Sequence, residues 1–145
     1  MMHTVFKQSN VRAILAATVA CWGLAVALAS PVSARGQKTA NDGVYTDAQA
    51  TRGENLFKEQ CASCHAPGDF TSDDFLKKWT GKPLHELFST VSETMPMDSP
   101  GTLKPPQYAD LVSYILKLNK FPAGQDELKT SAETLKAISF AKKSR

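Results

Sequence analysis

Cys61-Ala62-Ser63-Cys64-His65 places two thiols three positions apart, with an imidazole directly after the second. The two vinyl groups of a haem lie on adjacent pyrrole rings, so a pair of thioether bonds needs cysteines joined by a short, turned stretch of backbone. C-x-x-C supplies that reach. The histidine then stands where its imidazole can take one axial position of the iron, and covalent attachment lowers the entropic cost of holding it there. Two other chemistries use paired cysteines. A thioredoxin-like redox pair is expected beside a βαβ pattern, and the flanks here carry no β-branched strands. A structural zinc site needs four ligands, and no second Cys/His cluster follows downstream. The run is read as the attachment site of one c-type haem, with Cys61 and Cys64 as the thioether donors and His65 as an iron ligand.

An electron-transfer haem needs a second axial ligand, and a soft thioether favours ferrous iron and raises the potential. Met95 and Met97 are the methionines that follow the N-terminal segment. Both lie in Thr94-Met95-Pro96-Met97-Asp98-Ser99-Pro100-Gly101, a loop too rich in proline to continue a helix, so neither reads as core filler. Only a local backbone shift separates the two sulfurs. His85, between Leu84 and Leu87, reads as a partly buried or surface histidine rather than a ligand.

The elements that position these residues are helical. The first helix is expected from Thr46 or Asp47, either of which can cap it, to about Gln60. Ala50, Gly53, Phe57 and Gln60 recur along it at helical spacing, with Leu56 beside them. Gly53 costs about 1 kcal/mol there relative to Ala, which points to close approach by another backbone or ring. Pro106 to Lys120 is a strong amphipathic helix, with Tyr108, Leu111, Val112, Tyr114, Ile115 and Leu118 on its apolar face. Ser72 to Trp79 and Lys82 to Ser92 read as two shorter helices separated by Thr80-Gly81. Asp73 and Asp74 favour the start of the former, and Pro83 suits the first turn of the latter. No repeats or strand pairs are expected. Phe121-Pro122-Ala123-Gly124 ends the long helix, and residues 126–142 read as a further amphipathic segment through Leu128, Leu135, Ile138 and Phe140.

The N-terminus carries an export pattern: Lys7 and Arg12 as a basic region, an apolar run from Ala13 to Ala29, and Val32-Ser33-Ala34 as a cleavage site. The apolar run is at the short edge of what spans a bilayer, so cleavage after Ala34 is expected, with Cys21 and His3 discarded and no permanent membrane anchor. The organisation is then a signal peptide at 1–34, a flexible leader at 35–46, the haem domain at 47–125, and a C-terminal helical extension with a basic tail at 126–145. The remaining cysteines are both committed to haem, so no disulfide is expected in the oxidising compartment. The formal charge of +3 falls to +1 once Lys7 and Arg12 are removed. No basic stripe suggests nucleic acid or anionic lipid as a partner.

Taken together, C-x-x-C-H after an amphipathic helix, then Trp79, then an M-P loop followed by P-G-x-L, then Y-x-x-x-x-x-Y-I-L, resembles a class I cytochrome c of the bacterial periplasm. The likeness is to the kind found beside or fused to quinoprotein dehydrogenases, and it spans roughly Asp47 to Leu128. It implies an all-α fold of three to five helices wrapped around one covalently attached haem. It also implies that Met95, the methionine of the M-P pair, is the iron ligand, with Met97 as its alternative. By the same resemblance Gly53 and Phe57 cross Tyr114, and Trp79 donates its indole N–H to a haem propionate. A backbone carbonyl after His65, such as that of Pro67, fixes the imidazole tautomer. The chain departs from many relatives in its compact Ala66-Pro67-Gly68-Asp69-Phe70 segment.

These readings describe a periplasmic one-electron carrier and not an enzyme. Redox proteins would dock transiently at the haem edge, a periplasmic dehydrogenase and a terminal oxidase among them. A dedicated electron-transfer subunit of a dehydrogenase complex shares every site residue. An open-site haem enzyme or gas sensor would need an Arg or His above the iron, and the sequence offers none near Met95.

Overall fold

The computed structural model describes residues 37–141. The expected export segment with its Ala34 cleavage site, Cys21, His3 and the basic tail from Lys142 lie outside the described residues. Within them the fold is mostly helical. Helix α1 runs Asp47–Gln60, α2 Asp73–Trp79, α3 Leu84–Thr94, α4 Pro105–Leu118 and α5 Ala132–Lys136, while β1 is Lys38–Thr39 and β2 Ile138–Ser139. Short 3-10 turns stand at Ala40–Asp42 and Pro67–Thr71.

Local chemistry accounts for the helix starts. The Thr46 hydroxyl accepts from the Gln49 N–H at 3.1 Å and the Ser72 hydroxyl from the Phe75 N–H at 3.2 Å, each satisfying a donor that the helix leaves unpaired. Asp47 in the first turn of α1, and Asp73 and Asp74 in that of α2, add favourable charge at the dipole's positive end. Pro83 falls one position before α3, at its N-cap. Pro105 and Pro106 open α4, where their missing N–H groups cost nothing. At the far end of α4 the Lys120 N–H reaches the Lys117 carbonyl at 2.9 Å and the Phe121 N–H that of Leu116 at 3.1 Å. This is a Schellman closure, and it puts Lys120 at a φ of 62°, in the left-handed region usually given to glycine.

Helices α1 and α4 cross at Gly53. A Cβ at that position would overlap the carbonyl of Asp110 and lie 3.0 Å from the Tyr114 Cβ, so only glycine lets the two backbones touch. One turn on, the Phe57 and Tyr114 rings pack with centroids 5.5 Å apart. This is the crossing that the resemblance implied. The buried face of α1 is Gln49, Ala50, Gly53 and Phe57; Gln60 is exposed.

Three expectations are corrected. Residues 38–46 do not form a flexible leader: Ala40, Val44 and Tyr45 are buried, and the Tyr45 hydroxyl donates to the Phe121 carbonyl at 2.7 Å. Burial pushes that phenol's pKa up. A strand pair does exist, a two-residue parallel ladder in which Lys38 faces Ile138 and Thr39 faces Ser139. And the segment from 126 is less an extension than part of the main core, with Leu128, Leu135, Ile138 and Phe140 packed beside Trp79, Leu84, Leu87, Val112, Leu116 and Phe121. Its helix is only five residues long. Backbone pairing holds it in place: Gly81 N–H donates to the Phe140 carbonyl at 2.7 Å and Phe140 N–H to that of Lys82 at 2.8 Å. Gln49, 2% exposed, grips the same segment from α1 by accepting the Leu128 N–H at 2.7 Å and donating to the Leu128 carbonyl at 3.1 Å.

Candidate haem site

Cys61 closes α1, its N–H reaching the Phe57 carbonyl at 2.9 Å. The N–H groups of Cys64 and His65 then both donate to the Cys61 carbonyl, at 3.1 and 2.9 Å. Residues 61–65 thereby wind through one more turn. Side chains three and four positions apart on such a turn share one side, so both thiols and the imidazole face one space.

That space is a cavity of about 610 Å³, within the range that holds a cofactor. Cys61, Cys64 and His65 line it from one segment, Met95 and Met97 from another. Phe57, Phe70, Phe75, Leu87, Val91, Leu111 and Ile115 make its walls largely apolar. Met95 is half-buried at the C-cap of α3, its N–H on the Val91 carbonyl at 3.0 Å, while Met97 at the rim is 79% exposed. The Met95 carbonyl accepts the Tyr108 hydroxyl at 2.9 Å. His85 does not line the cavity.

The surroundings of the cysteines also bear on the rival chemistries. Burial pushes the Cys61 thiol up, and its place at the C-terminal end of α1 puts it beside the negative end of the helix dipole. A redox pair needs the reverse, a thiolate stabilised at a helix N-terminus or by a cation. Among the described residues no group of three or more His, Cys, Asp and Glu is placed to hold a metal ion, so the donor set does not fit a structural zinc. Two thiols, an imidazole and a thioether around an apolar cavity fit a haem.

Residues 48–115 match the family model described as cytochrome c oxidase, cbb3-type, subunit III. The match, over a little under half of the chain, points to a c-type cytochrome domain there. No curated protein and no solved structure matches the chain. A cytochrome c domain binds haem c covalently and carries electrons, and it is typically not itself an enzyme. No helix among the described residues is long and apolar enough to cross a membrane.

Besides Trp79, the cavity walls hold residues that sequence reasoning did not assign to the site. Phe70 packs 5.6 Å from the His65 ring and 5.7 Å from both Phe57 and Phe75, and its carbonyl accepts the Asn119 side-chain amide at 2.9 Å. Trp79 is buried and lines the cavity, with the Lys78 ammonium 5.0 Å and the Lys82 ammonium 5.5 Å from its ring. Lys78 lines the cavity as well. The His65 Nδ1 lies 4.0 Å from Asp69 Oδ2, too far for a hydrogen bond, and that carboxylate accepts the Ala66 N–H at 2.9 Å. Of these only Trp79 carried a sequence signal. Phe70 and Lys78 have none: Phe70 reaches the cavity from the 3-10 turn and Lys78 from α2, and the placing of both segments over the cavity is set by tertiary packing.

Proposed function

We propose that this chain is an exported, periplasmic one-electron carrier holding a single haem c. Cys61 and Cys64 would form the thioethers, and His65 and Met95 would take the two axial positions. The haem, when bound, supplies the ferric–ferrous couple; the protein fixes its ligands and keeps water from the buried face. The observation that carries the reading is one cavity bordered by all four of these side chains. Met95 is preferred to Met97 because it is half-buried and fixed through its carbonyl, whereas Met97 is largely exposed. Trp79, with Lys78 beside it, is placed to meet a propionate. The redox partner would dock through a small, transient interface at the rim, where Cys64 and Met97 are exposed.

With His65 and Met95 both bound to it, the iron would have no site left for substrate. An open-site haem enzyme would need an Arg or His above the iron, and among the described residues the cavity walls contain no arginine and no histidine besides His65. The family match supports a second version of the same role, an electron-transfer subunit serving an oxidase complex.

The absorption spectrum of the ferric holoprotein tests the ligation. Wild type should be low-spin with the weak far-red band of methionine-sulfur ligation. Met95→Ala should abolish that band and Met97→Ala should keep it. The reverse pattern would move the ligand to Met97, and a high-spin ferric spectrum with ready binding of carbon monoxide after reduction would overturn the carrier.

A further inference from the structure

One hydroxyl reaches both ends of the loop that follows Met95. Tyr108 stands in the second turn of α4, 3% exposed, and its ring meets Phe88 of α3 edge to face with centroids 6.3 Å apart. Its O–H donates to the Met95 carbonyl at 2.9 Å, and its oxygen accepts the Leu103 N–H at 3.4 Å. Met95 and Leu103 are the two ends of the Pro96–Thr102 loop, in which Met97, Asp98 and the residues through Thr102 are exposed. Inside it the bonds are short-range: Ser99 N–H to the Pro96 carbonyl at 3.0 Å, the Ser99 hydroxyl to Asp98 Oδ1 at 3.2 Å and the Thr102 hydroxyl to the Ser99 carbonyl at 2.8 Å. These shape the loop without tying it to the helices.

We infer that Tyr108 is a positioning residue for the axial methionine: its hydroxyl clasps both ends of the ligand loop and holds the Met95 thioether at the iron against displacement. The inference rests on the proposed Met95 ligation and adds a residue to it. A phenol is suited to the task because it donates and accepts from one atom at the end of a rigid, buried ring. Without it the Met95 carbonyl must lose its partner or turn outward to water, and turning outward carries the thioether away.

The test is imidazole binding to the ferric holoprotein, since imidazole must displace the methionine. Tyr108→Phe keeps the ring and removes both hydrogen bonds. It should show the far-red band at rest yet bind imidazole about tenfold more tightly than wild type, the effect of losing roughly one net hydrogen bond. In a Met95→Ala background the same change should leave imidazole affinity unaltered, because there is no methionine left to hold. Equal affinities for wild type and Tyr108→Phe would overturn the clasp. So would a tenfold effect persisting in the Met95→Ala background, which would make Tyr108 a general support of the cavity wall. A wild-type protein whose far-red band survives Met95→Ala would instead overturn the ligand assignment beneath it.

Discussion

Gly53→Ala is the substitution that most directly probes how the two halves of the site are held together. The added methyl would overlap the Asp110 carbonyl, and the Tyr114 Cβ at 3.0 Å closes the sideways escape. Both obstacles belong to backbone or to the root of a side chain, so neither can rotate aside. Ordinary contact returns only if α1 and α4 part by roughly 1 Å or more, which loosens the Phe57–Tyr114 pair as well. Overpacking of this kind costs about 3 kcal/mol at the upper end of its range, and the better helix propensity of alanine returns about 1 kcal/mol. The expected net loss is therefore about 2 kcal/mol. Guanidinium unfolding of the holoprotein measures it. For a domain of this size the midpoint should fall by about 0.5–1 M with no change of slope. Because Cys61 caps α1 and α4 carries Tyr108, on the proposed ligation the far-red band should also weaken at lower denaturant than unfolding itself. A variant as stable as wild type, or more stable by the propensity gain alone, would refute the close crossing and with it the reason given for a glycine.

Two further substitutions test the packing around the site. Gln49→Ala should cost about 2–4 kcal/mol, since it strips the buried Leu128 N–H and carbonyl of their partners at once; thermal unfolding and amide exchange at Leu128 would read it. Lys120→Gly should raise stability by about 1 kcal/mol, because the left-handed C′ position costs a side chain that much and glycine nothing; an unchanged midpoint would mean the Lys120 backbone is not held there.

The helices were legible because their signals are local. Thr46 and Ser72 cap where a polar side chain precedes an apolar period, and α4 announces itself through two prolines and an unbroken apolar face. The N-terminal segment was misread for the opposite reason. Ala40, Val44 and Tyr45 follow no period, and what buries them is a contact with residues about eighty positions away: Gly124 N–H donates to the Tyr45 carbonyl at 2.7 Å. There a Cβ on Gly124 would overlap the Gly43 carbonyl. The same holds for Leu128 through Phe140, whose spacing suggested a helix although only Ala132–Lys136 coil. In the proposed site, the spacing of Cys61, Cys64 and His65 would be set by the reach of a porphyrin, and so it is readable in five letters. Tyr108 looks in the sequence like one more residue of an apolar stripe. Its hydroxyl matters only because the loop from Met95 returns to the start of α4, and that is a fact of tertiary structure.

The small parallel ladder of β1 and β2 has a further meaning. With Lys38 opposite Ile138, the first and last described residues of the domain stand within a few residues' reach of each other, at the spacing of neighbouring strands, about 5 Å. A linker of about five residues could join 141 to 37, and new termini could be opened in the exposed 97–102 loop or at the Gly81 turn. A circularly permuted protein of this kind keeps every cavity wall. On the proposed ligation, opening at Gly81 should still allow haem attachment, whereas opening between Met97 and Leu103 should keep the thioethers and His65 and set the methionine free.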